Sequence, residues 1–529
     1  MGIVLCFKLL YGFMVLCLSV MSEGVRLRYA GIVNFTANIA RLIVSLGFVV
    51  IVTRRLSVEE FGLWAIILAL VNYPIMPISF WNYWCSRFVA RRIPRSLGTG
   101  IAVTLSYLPL ALLVYCLAAY AMYVFVIGWG LSTMLIFGVL LVVIIAFRNV
   151  FSGISQAYAP EVLGYGSLVY EFLRLPLAFL LVVLLCLRLD GALLTMVISH
   201  LMALMVMMFF LYRRGLRWDG IDLTLAKRWF KGFLIPLIGI VNGLILSSDR
   251  ILLASLSGSE VPVAYMSAGY SLRNPIVYGR ATASGLYAKM LRGGSASDVE
   301  EITRLYFAVT LFMLITILCL AYPLMSLLNP IYRDAYWIVL ITGLFAFIQG
   351  VVGIFGPIVS GREEVDLKPD VAVKDFIKSR LFKWSSTSIT MHVVSLVFGT
   401  ILLLIFMPFN NIILLASAYP ISWLISLCIF TPRFHRLAKS VVDFKFPWRD
   451  IMPFIIASLC SALCYLTLGS YSIIVESFWR DAPILLTHVI IAGITYLAVS
   501  YALSPWLRGF LKAAKKFVLT EVFRLEEAS

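Results

Sequence analysis

An all-α integral membrane protein with about fourteen transmembrane helices is the fold class this sequence predicts, and three observations carry that expectation. Of 529 residues, 62% are hydrophobic and 13% charged, whereas about a quarter of the residues of a soluble chain are charged. The apolar residues gather into long runs, and a helix crossing lipid needs about 20 of them together. The loops between runs are short and alternate between rich and poor in Lys and Arg. Composition alone excludes a soluble enzyme. A net charge of +17 would suggest nucleic acid in a soluble chain. Here it sets membrane orientation, and no nucleic-acid partner is implied.

Taken in order, the runs are 32–52, 61–80, 99–127, 131–153, 166–187, 191–212, 233–255, 261–286, 305–328, 335–360, 387–407, 410–431, 451–473 and 483–504. Each is a helix, because in hydrocarbon the backbone must satisfy its own polar groups. Before them, Met1–Val20 is apolar but interrupted by Lys8. A signal peptide places its basic residues ahead of the apolar stretch, so residues 1–27 read as a peripheral segment or as the product of a start assigned upstream of Met21.

The chain holds 43 Lys and Arg. Thirty-three lie in the two tails, in the loops after even-numbered spans and at the span ends beside those loops, Arg148 and Arg280 among the last. Six (Arg54, Arg55, Arg188, Arg250, Arg333 and Arg480) lie in the loops after odd-numbered spans, and four remain: Lys8, Arg41, Arg174 and Arg273. Basic residues favour the cytoplasmic side, so both ends of the fourteen-helix core are expected in the cytoplasm, with the chain in the cell membrane. The loop Arg213–Lys231 interleaves basic residues with Trp218, Leu223, Leu225, Trp229 and Phe230, a composition suited to a helix lying in the inner interface. The longest loop, 361–386, carries six basic and five acidic residues and reads as a solvated segment.

A weak internal repeat organises the spans. Leu56-Ser57-Val58-Glu59-Glu60 and Leu256-Ser257-Gly258-Ser259-Glu260 agree at three of five positions at an offset of 200. Six spans separate the copies, and an even number gives both halves the same orientation. Two parallel six-helix lobes plus two C-terminal helices follow. Their bounds are an N-lobe over 28–212, an interfacial linker over 213–232, a C-lobe over 233–431, and the last two helices with their tail over 432–529.

Charge inside a span is costly, roughly 2.5–3.5 kcal/mol on insertion scales, so its occurrence marks a cavity or a partner. Arg41, Arg174 and Arg273 are the cases here, with Glu171 as the one deep acid. Asn34, Asn38, Arg41 and Ser45 follow a 4, 3, 4 spacing that places them on one face of the first helix. Tyr270, Arg273, Asn274 and Tyr278 form a broader stripe on the eighth. Glu171 and Arg174, three apart, can neutralise one another, so Arg174 reads equally as a structural or a ligand residue. Arg273 can serve the backbone freed beside Pro275 or a ligand. Arg148, Arg250 and Arg280 lie nearer helix ends and read as snorkelling side chains. Nine cysteines without a CxxC spacing and four scattered histidines give no metal centre, disulfide framework or cofactor.

The stretch Ala37–Arg92, with its turn Arg55-Leu56-Ser57-Val58-Glu59-Glu60-Phe61-Gly62-Leu63, resembles the polysaccharide-biosynthesis flippases of the multidrug/oligosaccharidyl-lipid/polysaccharide exporter superfamily. Ser248-Asp249-Arg250-Ile251-Leu252-Leu253, Ala264-Tyr265 and Asn329-Pro330-Ile331-Tyr332-Arg333-Asp334-Ala335 are similar to later family turns, and the likeness extends over about 28–505. The segment 1–20 and the long loop 361–384 depart from the pattern. The resemblance implies a monomeric flippase that moves an isoprenoid phosphate- or pyrophosphate-linked saccharide between leaflets, among membrane lipids, with H+ or Na+ as candidate coupling ions. Guanidinium groups hold phosphate oxygens bidentately, which makes Arg41, Arg174 and Arg273 candidate headgroup ligands. The alternative is a multidrug cation exporter of the same fold, which would need acidic rather than basic residues in its cavity. A membrane polymerase or ligase would be expected to carry a long outer loop with catalytic residues, and the outer loops here are a few residues each.

Overall fold

A computed structural model of the chain describes residues 40–41, 44–231, 234–283, 286–291, 293–362 and 377–517. The segment Met1–Val20, Asn34, Asn38 and most of the loop 361–386 lie outside them. Every long element is helical, and twelve helices among the described residues are long and apolar enough to cross a membrane. The protein is a multi-pass, all-α membrane protein. Large apolar side chains stand exposed along its helices, among them Leu486, Ile490, Ile494 and Leu497, an outer surface suited to lipid rather than water.

The twelve helices match twelve of the fourteen runs. The first run is described only at 40–41 and 44–55, which are helical (α1). The eighth is not continuous, and the expectation of one helix over 261–286 is corrected here. Val261–Leu272 (α10) stops at Arg273, and Asn274–Gly279 (α11) begins again with Pro275 in its first turn. Proline has no N–H to continue the ladder, and the Arg273 carbonyl instead accepts from the N–H of Ile276 at 3.0 Å.

Contacts divide the chain into two units, Met1–Ile251 and Leu252–Ser529. In the first, α1 is followed by Val58–Ile75 (α2), Ile78–Ala90 (α3), Ser96–Met122 (α4), Leu131–Tyr158 (α5), Pro160–Ala178 (α6), Arg188–Arg213 (α7), Leu223–Lys231 (α8) and Leu234–Ser257 (α9), whose last turns belong to the second unit. Ser57 starts α2 with a capping box: its hydroxyl accepts from the Glu60 N–H, and the Glu60 carboxylate accepts from the Ser57 N–H. In the second copy of the repeat no such box forms: Glu260 precedes α10 without a side-chain capping bond, and Ser259 accepts from the Val261 N–H. α5 packs against α3, α4 and α7, and α6 against α7.

The linker is corrected in part. It holds a helix, but only from Leu223, and Leu225 and Trp229 are buried against the unit rather than turned to lipid. Trp229 stacks near Phe88 of α3. The strand of chain before it lies flat on the start of α4. Asp219 accepts from the Arg95 N–H, Thr99 and Asp222 exchange hydrogen bonds, and a Cβ on Gly98 would stand 2.0 Å from the Gly220 carbonyl oxygen. Thr224 donates to the Asp222 carboxylate and holds it below its usual range.

The second unit runs through α10, α11, Leu286–Leu291 (α12), Ala296–Cys319 (α13), Ala321–Leu328 (α14), Tyr336–Gly361 (α15), Arg380–Phe406 (α16), Ile412–Lys439 (α17), Trp448–Thr467 (α18), Phe478–Leu503 (α19) and Pro505–Phe517 (α20). The final pair, α18 and α19, attaches through α13: Tyr496 donates to the Ala308 carbonyl at 2.7 Å, and the hydroxyls of Thr316 and Tyr465 meet at 2.9 Å.

Both units use the same helix clasp, a tyrosine ring laid on a glycine. Tyr115 of α4 covers Gly138 of α5 and donates to the Met134 carbonyl at 2.8 Å. Tyr306 of α13 covers Gly350 of α15 and donates to the Phe347 carbonyl, also at 2.8 Å. A Cβ at Gly138 would lie 1.7 Å from the Tyr115 hydroxyl oxygen, and one at Gly350 1.9 Å from that of Tyr306. Both rings are fully buried. Gly138→Ala should therefore act as overpacking, about 1–3 kcal/mol, lowering the thermal midpoint of the detergent-solubilised protein. Tyr115→Leu alone should also destabilise, but the double variant should lose less than the sum. Additive losses would show that the ring and the glycine are not in contact.

Candidate functional site

The first unit draws charged residues from three helices, and a histidine from a fourth, into one cluster. Glu171 is 1% exposed on α6. One carboxylate oxygen accepts from the Arg41 Nε of α1 at 3.2 Å, and the other stands 3.1 Å from a terminal nitrogen of Arg174, one turn along α6. The three-residue spacing of Glu171 and Arg174 accounts for their pairing. The Arg41 bond joins residues 130 apart in sequence and was not foreseen.

Aromatic rings wall the cluster. The Arg174 guanidinium carbon stands 4.9 Å from the ring centre of Phe48 and 5.1 Å from that of Tyr170, to whose hydroxyl it also donates. Such faces attract cations. Arg148 of α5 also lies 4.7 Å over the Tyr170 ring and bonds to Nδ1 of the buried His200 on α7. Arg148 thus does not snorkel from a helix end. A guanidinium can only donate, so Nδ1 accepts. The imidazole proton is then on Nε2 and the ring is neutral. Three guanidinium charges face one carboxylate.

Exposure separates the two partners of Glu171: Arg174 is 11% exposed, whereas Arg41 keeps 33% of its side chain accessible. Ser45, one turn farther along α1, is buried. Arg148, Tyr170 and His200 were missed in the sequence. Arg148 sits ten residues inside α5, which runs five residues past the apolar stretch that predicts it.

In the second unit, Arg273 occupies the break between α10 and α11. Its guanidinium carbon is 4.2 Å from the ring centre of Tyr270 and 5.3 Å from that of Phe345. Asn274 opens α11. The first-turn N–H groups of Ile276 and Val277 are taken by the Arg273 carbonyl at 3.0 and 3.3 Å.

No protein-family model matches this sequence, and no curated protein sequence matches it. Solved structures do resemble the fold. An inward-facing multidrug resistance MATE family transporter of the MOP superfamily gives a TM-score of 0.57 at 13% identity, over 78% of this chain and 98% of that one. The lipid II flippase MurJ in an inward closed conformation gives 0.56 at 13% identity, over 89% and 98%. An outward-facing MATE family structure gives 0.54 at 13% identity, over 78% and 95%. At these identities the likeness is one of fold.

Proposed function

We propose that the chain is a flippase that carries an isoprenoid phosphate- or pyrophosphate-linked saccharide across the cell membrane by alternating access, with Arg41 as the residue that meets the phosphate. The observation that carries this reading is the sign of the buried cluster: Arg41, Arg148 and Arg174 against Glu171 alone, with His200 neutral. A surplus of positive charge at mid-membrane attracts an anion. The Glu171 carboxylate bridges two guanidiniums as a phosphate could, so an entering diphosphate competes with it for Arg41, and Glu171 reclaims Arg41 on release. The fold shared with a solved lipid II flippase supports the same reading.

A second reading, export of cationic drugs, draws support from the MATE likeness and from the buried carboxylate itself. The two are separated by reconstitution. Proteoliposomes holding a polyprenyl-diphosphate-linked oligosaccharide should expose the sugar to an external lectin only when the protein is present. Efflux of a cationic dye with no lectin signal would replace the flippase reading by the exporter one.

Both termini of the core are placed in the cytoplasm in this proposal. In a cysteine-free background, Asp443→Cys should react with an impermeant maleimide only from the cytoplasmic side and Asp334→Cys only from outside. Both side chains are open, 83% and 69% exposed. The opposite labelling would invert the topology.

A further inference from the structure

Away from the charged cluster, the first unit carries a cleft of about 730 Å3 between α3, α4, α8 and the first half of α9. Phe80, Val103, Leu223, Phe230, Leu237 and Ile240 supply its apolar walls. Four polar side chains also line it, and each directs its donor elsewhere. Trp81 donates to Thr104 at 2.8 Å, Thr99 to the Arg95 carbonyl at 2.6 Å, Ser106 to the Ala102 carbonyl at 2.9 Å, and Tyr107 to the Pro74 carbonyl at 3.0 Å. The surface offered is therefore hydrocarbon in character. A saccharide would leave its hydroxyls unmatched there, and an acyl chain would not.

Charge is supplied by α8, which lends two residues to the cleft. Leu223 and Phe230 lie seven apart on α8, and Lys227 falls between them on the same face. Lys227 and its neighbour Arg228 are exposed. An amphipathic helix with basic residues beside an apolar cleft matches the chemistry of a phospholipid, with an anionic headgroup above a chain.

We propose that this cleft seats one acyl chain of an anionic phospholipid, with Lys227 receiving the headgroup phosphate. The lipid then forms the outer wall of α8 and of the first turns of α9, holding that segment against α3 and α4. The proposal stands apart from the transport reading, since none of the cluster arginines takes part.

The test uses the full chain purified in mild detergent and offered an equimolar mixture of phosphatidylglycerol and phosphatidylcholine. Native mass spectrometry counts the lipid retained, and fragmentation identifies it. One phosphatidylglycerol per chain is expected. Ala102→Trp and Ser106→Trp fill the cleft from two heights of α4, and each should lose the retained lipid. Ser106 is exposed, so its variant should fold even if the other does not. Lys227→Gln should keep a phospholipid while the preference for phosphatidylglycerol falls about fivefold, the worth of one basic residue at an anionic surface. Equal retention by wild type and the tryptophan variants overturns the proposal. So does recovery of a polyprenyl chain in place of a fatty-acyl one.

Discussion

Arg41→Ala should abolish export of the lipid-linked saccharide while the protein still reaches the membrane in near-normal amount. Glu171 keeps Arg174 as a partner at 3.1 Å when Arg41 is removed, so no buried carboxylate is stranded. What is lost is the accessible guanidinium. Arg41→Lys should restore only part of the activity, because an ammonium retains the charge without the bidentate fork. A complementation assay with quantification of membrane protein reads both quantities. Normal export by Arg41→Ala would sink the assignment of this arginine to the phosphate and make Arg273 the next residue to test.

The largest effect on stability should come from removing both partners of Glu171. Arg174→Ala alone leaves the carboxylate bonded to Arg41 at 3.2 Å, so its protein level should fall only modestly. In Arg41→Ala/Arg174→Ala the carboxylate, 1% exposed in the parent chain, has neither arginine beside it. Stranding a buried charge costs about 3–5 kcal/mol, enough to remove most of the folded protein from the membrane. The loss should exceed the sum of the singles, as expected for residues that share one network. Adding Glu171→Gln to the double variant removes the stranded charge, and protein level should recover while export does not. Additive losses, or no rescue by Glu171→Gln, would show that the pairing does not hold the helices together.

Local features of this site and fold were legible in the sequence, and long-range ones were not. Apolar run length gave the spans, and the mixed pattern of Leu223–Lys231 marked a short amphipathic helix, since both depend on neighbours in the chain. Glu171 and Arg174 are three apart on one helix, so their pairing follows from helical geometry. Arg41 with Glu171, and Arg148 with His200, depend on which helices pack side by side, and one sequence does not record that. The break at Arg273 had a visible cause in Pro275, but an unbroken apolar run outweighed it. The helix at Pro505–Phe517 also left a trace: Trp506, Leu507, Phe510 and Leu511 recur at helical spacing among basic residues, and Trp506 packs on Phe454. Its basic composition had marked it only as a tail.

The tyrosine laid on glycine has a consequence for how sequences of this fold can drift. Gly138 has no room for a methyl group while Tyr115 is in place, and Tyr115 has no replacement hydroxyl to reach the Met134 carbonyl. Neither position can change first without loss, so the pair forms a small fitness valley. Descendants of this chain should cross it by exchanging both residues together, alanine or serine at 138 arriving with a shorter side chain at 115. The clasp of Tyr306 on Gly350 obeys the same constraint, which gives each unit a pair of positions that should vary in step.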